Sequence, residues 1–155
     1  MTHRLNFALV GLLLLAACTT APKPSGDWIR FDLLEPGLAP NRALACAPDI
    51  CKAANNYSSA PEFSASAEIL ADALLRLEPG AERRTEANGD IHIRWVAVTP
   101  ALRFRDDVDV LLHPSENQMT RMAVYSRSRV GLSDLGTNAR RIEGLTRQLT
   151  REVEA

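Results

Sequence analysis

Two alternating segments joined by a short polar turn constrain this chain more than anything else in it. "LRFRDDVDVLLH" (residues 102–113) and "MTRMAVYSRSRV" (residues 119–130) flank "PSENQ" (residues 114–118). Side chains along a strand point alternately to opposite faces, so alternation marks strands with one face in a core. In the first segment Phe104, Asp106, Val108, Val110 and Leu112 form the core face, with Arg105, Asp107, Asp109 and Leu111 opposite. In the second, Tyr125, Arg127 and Arg129 point one way and Val124, Ser126 and Ser128 the other. The tight turn pairs the two antiparallel and brings Asp106 and Asp107 opposite Ser126 or Arg127, to within about two residues of register.

The flanking sequence supplies the rest of a small domain. "AERRTEANGDIHIRWVAV" places Asn88-Gly89 between two further strands, the signal for a type I′ hairpin in which both central residues take positive φ. Ile91, Ile93, Trp95 and Ala97 then share the core face, while His92 and Arg94 face solvent. "SASAEILADALLRLEPG" reads as a helix with a stripe of Ile69, Leu70, Ala73, Leu74 and Leu77, capped by Ser64 or Ser66 and ended by Pro79-Gly80. A last helix starts near Thr137, with Ile142, Leu145, Leu149 and Val153 recurring at spacings of three or four and Arg140, Arg141, Arg147 and Arg151 on other faces. The expected fold is α+β: helix, four antiparallel strands, helix, with both helices packed on the sheet.

The N-terminus belongs to a different category. Arg4 precedes the apolar run "FALVGLLLLAAC", which is shorter than the roughly 20 residues that a spanning helix needs and reads as a secretory signal. Leu15-Ala16-Ala17-Cys18 resembles a bacterial lipobox. That resemblance implies a signal peptide over 1–17 and a lipidated Cys18 that holds the chain on the membrane. An ordinary signal, or an uncleaved anchor with an incidental cysteine, is the alternative. Thr19 in place of an aspartate implies outer-membrane sorting in a Gram-negative host, with the protein facing the periplasm. Residues 18–43 are rich in Pro, Gly, Ser and Thr and read as a tether, with Trp28, Ile29, Phe31 and Leu33 able to dock on the body or form a short edge strand. Residues 44–155 make the folded domain.

Charge and cysteines narrow the function. A formal net charge of −1 argues against a general nucleic-acid binder. With Cys18 at the membrane, Cys46 and Cys51 remain in an oxidising compartment and suggest a disulfide. The other reading is a metal site made by "CAPDIC" with His92 and His113, although this spacing lacks the second local pair typical of zinc.

"LRFRDDVDV" followed by "YSRSRVGLSDLGTNARRI", after a cysteine pair and a helix, is similar to the bacterial and plastid family called domain of unknown function 1499, over about residues 44–152. The resemblance implies Asp106 and Asp107 as paired acids and Arg127, Ser128 and Arg129 as a strand-end motif. It implies Gly131, Asp134, Gly136, Asn138, Arg141 and Ile142 as a strand-to-helix junction. It implies no activity.

These residues admit two physical arrangements. In one, Asp107 and Asp109 neutralise Arg127 and its neighbour Arg105, Asp106 takes hydroxyl or backbone hydrogen bonds, and Asp134 or Thr137 caps the last helix. In the other, Arg127, Arg129 and Arg141 form a pocket for a small anion. Catalysis is less favoured: Ser126 and Ser128 have no evident base, no G-x-S-x-G elbow occurs, and Asp106 and Asp107 point to opposite faces. The sequence therefore reads as a non-catalytic binding or scaffold module of the cell envelope, with an envelope protein or a small anion as partner. An anion binder is the alternative, and a hydrolase a more distant one. No cofactor, metal or catalytic residue is assigned.

Overall fold

The computed structural model describes residues 21–35, 37, 39–51, 61–100 and 102–154. The signal segment 1–17 and Cys18 lie outside the described residues. In chain order the elements are a 3-10 turn at Phe31–Leu33, β1 (Arg42–Ala45), β2 (Glu62–Phe63), α1 (Ala67–Leu77), β3 (Glu82–Thr85), β4 (Ile91–Val98), β5 (Arg105–Pro114), β6 (Thr120–Ser128) and α2 (Thr137–Glu154). A second 3-10 turn, Glu116–Gln118, joins β5 to β6.

The sheet is antiparallel in the order β1-β6-β5-β4-β3, with β2 also on β6. The described residues thus form six strands rather than four. β1 pairs with Val124–Arg127 and β2 with Thr120–Arg121, covering the edge of β6. Neither has a legible pattern: "RALA" and "EF" are too short to alternate, and their strand character comes from the edge they complete. The central register sets Asp106 opposite Ser128 and Asp107 opposite Arg127.

On the inner face, Ile91, Ile93, Trp95, Val108, Val110, Leu112, Met122 and Val124 pack against α1 and α2. α1 is capped by the Ser66 hydroxyl, which accepts from the Ile69 amide at 3.4 Å. Its buried side is Ala67, Leu70, Ala71, Ala73 and Leu74, whereas Ile69, expected in the stripe, is exposed. The buried stripe is thus turned toward Ala67 and Ala71 and away from Ile69. α2 buries Ile142, Leu145 and Leu149 as its periodicity requires. Each fully buried Leu or Ile contributes about 1.5–3 kcal/mol.

The outer face is also covered. Phe31, Leu44, Leu111, Ala123 and Tyr125 form a second apolar layer with Cys46 and Cys51, which are joined in a disulfide with Cα atoms 6.1 Å apart. The described part of the segment expected as a tether is therefore docked on the sheet, and around residues 28–33 it carries a 3-10 turn instead of an edge strand. Its docking buries His92 to 8 % exposure, against Phe31 and the edge of Trp28, so this residue does not face solvent. Period-two reasoning gives the face of a residue but not what covers that face. In the β3–β4 loop the Gly89 amide donates to the Glu86 carbonyl at 3.1 Å and only Gly89 takes positive φ, so this is a longer loop and not the two-residue type I′ turn.

Candidate functional site

The motif residues gather at the end of the sheet where β4 stops, β5 begins and β6 ends, and they divide between its two faces. On the outer face Arg129 grips Asp107, with Nη2 at 2.7 Å and Nε at 3.2 Å, and Arg127 Nη1 lies 2.7 Å from Asp109. The Ser25 amide and hydroxyl also donate to Asp107, and Arg129 Nη2 donates to the Lys23 carbonyl at 2.6 Å. Burial pushes the Asp107 carboxyl up. Hydrogen bonds from Arg129 and Ser25, with the charge of Arg127, outweigh it and hold the group below its ordinary range. For Asp109, burial outweighs Arg127 and the carboxyl is raised.

On the inner face Arg141, reaching from α2, donates to Asp106 at 2.6 Å, to the Ser126 hydroxyl at 2.8 Å and to Asn138 Oδ1 at 2.6 Å. Asn138 is fully buried; its Nδ2 donates to the Asn41 carbonyl, Ser128 Oγ and Asp134 Oδ2. Asp134 accepts from the Gly136 amide at 2.9 Å and the Asn138 amide at 2.7 Å, and so caps α2. Burial raises its carboxyl, but those amide bonds hold it below the ordinary value. Gly131 and Gly136 have φ of +90° and +78°, where glycine is favoured.

Arg127, Arg129 and Arg141 thus do not converge. The sheet lies between Arg141 and the other two, and each guanidinium already has its own carboxylate. The alternation of β6 imposes this separation, and the placement of α2 puts Arg141 on the Ser126 side. Ser126 Oγ donates to Asn138 Oδ1 at 2.6 Å, and Ser128 Oγ accepts from Asn138 Nδ2, so one carboxamide engages both hydroxyls. His113 pairs with Asp90 at 2.8 Å, the cysteines are oxidised, and no cluster of metal-ligating residues exists among the described residues.

What the arrangement leaves open is apolar. Above Asp106 and Ser128 is a groove of about 500 Å³, walled by Leu102, Phe104, Val130 and Leu135 and rimmed by Arg140. Asp106 is 1 % exposed, and its Oδ1 has no hydrogen-bond partner among the described residues. Phe104, assigned by alternation to the core face, precedes the first residue of β5, lines the groove and is half exposed.

A family model described as "Protein of unknown function (DUF1499)" matches residues 39–149. The chain belongs to the DUF1499 family. No curated protein and no solved structure matches it. In this DUF1499 chain the matched region takes in all six strands, α1 and most of α2, and so the whole Arg–Asp–Asn network. The resemblance marked most of the network's residues, but not Asn41, Asp109 or Ser126, and not the groove. Part of the signal for the groove was present: Leu132 and Leu135 are large apolar residues in a segment too rich in turn formers to be a strand, and Leu102 and Val130 stand at the outer ends of the two alternating segments.

Proposed function

We propose that this DUF1499 chain is a lipid-anchored cell-envelope module that binds rather than catalyses, with the groove at the sheet end as its binding surface. The observation that supports binding is the contrast at that end: the three motif guanidinium groups are each paired with a carboxylate of the sheet, while large apolar side chains stand exposed around the groove. The lipobox-like Leu15-Ala16-Ala17-Cys18 supports anchoring at Cys18, in the outer membrane facing the periplasm. The Ser126 and Ser128 hydroxyls are both engaged by the Asn138 carboxamide, and in this reading the network serves as the rigid floor of the groove.

The test combines metabolic labelling with a clickable fatty acid and intact-mass analysis of the envelope protein. The expected mass begins at Cys18 and includes acyl groups, and Cys18→Ser loses label and membrane association together. An unacylated mature chain released by salt would overturn the anchoring. Photo-crosslinkers at Leu135 and Glu116 separately test the surface, with adducts expected only from Leu135; equal yields from both would remove the groove's role.

A further inference from the structure

We infer that the groove-bearing end of the molecule docks on the phospholipid surface that holds its anchor, with Leu102, Phe104, Val130, Leu132 and Leu135 entering the lipid interface. The inference rests on the anchoring proposed for Cys18 and adds the orientation that follows from it. Three observations carry it.

The docked N-terminal segment delivers the chain to this end. Arg129, which holds the Lys23 carbonyl at 2.6 Å, immediately precedes Val130 of the groove wall. Ala21 lies against Gly80, where an added Cβ would stand 3.2 Å from the Ala21 Cβ. Cys18 is three residues before Ala21 and five before Lys23, so its Cα is within about 11 Å and about 18 Å of them even for a fully extended chain. A lipid on Cys18 therefore cannot hold this domain far from the bilayer.

The exposed apolar groups are concentrated at the same end. Leu102, Phe104, Val130, Leu132 and Leu135 are 71, 48, 59, 91 and 84 % exposed, and all stand on the two loops that flank the groove. They project from loop ends, as suits insertion into the headgroup and upper acyl region, where apolar groups of peripheral proteins sit about 5–10 Å deep.

The charge around them suits a phosphate-bearing surface. Arg103 and Arg105 are exposed, and among the described residues neither side chain has a carboxylate partner. The nearby acids are committed: Asp106 to Arg141, Asp107 to Arg129, and Asp134 to the start of α2. Basic side chains without local acids beside apolar loops are complementary to anionic phospholipid headgroups.

The test uses the full lipidated protein, extracted from its envelope and reconstituted in phosphatidylethanolamine/phosphatidylglycerol vesicles. Leu132→Cys or Glu116→Cys carries an environment-sensitive fluorophore; the latter sits in the β5–β6 turn at the opposite end of the sheet. Both sites are exposed, and circular dichroism with retained Cys46–Cys51 pairing checks folding. The expected result is at least fivefold stronger quenching at position 132 than at 116 by spin-labelled acyl chains, with the reverse order for aqueous iodide. If both positions respond equally to iodide while the protein floats with the vesicles, the docking is overturned and the anchoring stands. Shielding of position 132 from both quenchers would mean a protein or second copy covers the loops, and overturns the lipid assignment. A purified parent protein without acyl groups removes the anchoring and this orientation with it.

Discussion

Asn138 holds the motif together: fully buried one residue into α2, it joins β6, the Asn41 backbone, the helix cap and Arg141 through one carboxamide. Asn138→Ala strands Ser126 and part of Arg141 away from water, and an unsatisfied buried polar group costs about 1–3 kcal/mol. Urea unfolding should show that loss. A change below about 0.5 kcal/mol would mean that water replaces the amide readily. Gly136→Ala should cost about 1–2 kcal/mol, because φ is +78° there and the new Cβ would approach Arg140 Nη1 to 3.1 Å. Thermal unfolding of Gly136→Ala beside Gly144→Ala checks this, since Gly144 is helical and its added Cβ meets nothing within 4 Å. At this scale the sequence made the glycines and Asp134 legible as turn and cap. It did not reveal that Asn138 is the hub, because a buried asparagine looks like any other until its partners arrive from β6 and the segment before β1.

The segment from Ala21 to Glu35 is an element without regular structure, held by polar contacts as much as by Phe31. Asp107 binds Ser25, Arg129 binds Lys23, Arg94 donates to the Gly26 carbonyl at 3.1 Å, and the Arg84 and Arg94 guanidinium groups lie 4.8 and 4.3 Å from the Trp28 ring centroid. Asp107→Asn removes the charge facing Arg129, whose guanidinium is partly exposed, and should destabilise by about 1–3 kcal/mol, the range for losing hydrogen bonds to a charged group. It should also expose residues 21–35 first. Limited proteolysis there before global unfolding is the expected result, and simultaneous loss of the whole domain would place the segment in the same cooperative unit. The helices and the three long strands were readable because period three-to-four and period two persist over enough residues. The segment 21–35, β1 and β2 were not, since each takes its conformation from a neighbouring surface.

For the molecule as a whole, covering both faces of the sheet has a consequence for pH. Burial lowers the His92 pKa from its ordinary 6.5, with Arg84 adding to the effect and Glu86 and Asp90 opposing it. The unfolded chain then binds this proton more readily than the folded one. The stability that follows from neutral His92 is fully present above about pH 6.5 and is lost as pH falls toward the lowered folded value. The slope for one proton is no steeper than about 1.4 kcal/mol per pH unit. Urea titrations between pH 7.5 and 5 should show this decline in the parent and a flatter profile in His92→Gln; identical slopes would remove His92 as the cause. At lower pH, Asp107 and Asp134, held below 3.8, lose their contributions as pH falls through their folded values, while raised Asp109 acts in the opposite sense. Replacing Cys46 and Cys51 together by Ala should cost about 2 kcal/mol through the short loop they close, measured by unfolding of the pair variant against the parent. The sequence by itself determined the α+β class, the central hairpin with its faces, both helices and the family, because these depend on local periodicity and on residue identities at fixed spacing. Only the tertiary structure decided that Arg127 and Arg129 lie across the sheet from Arg141, that each has a carboxylate, that the N-terminal segment covers His92, and that apolar loops meet over Asp106. Those are relations between segments far apart in the chain, fixed by packing that no single stretch of sequence contains.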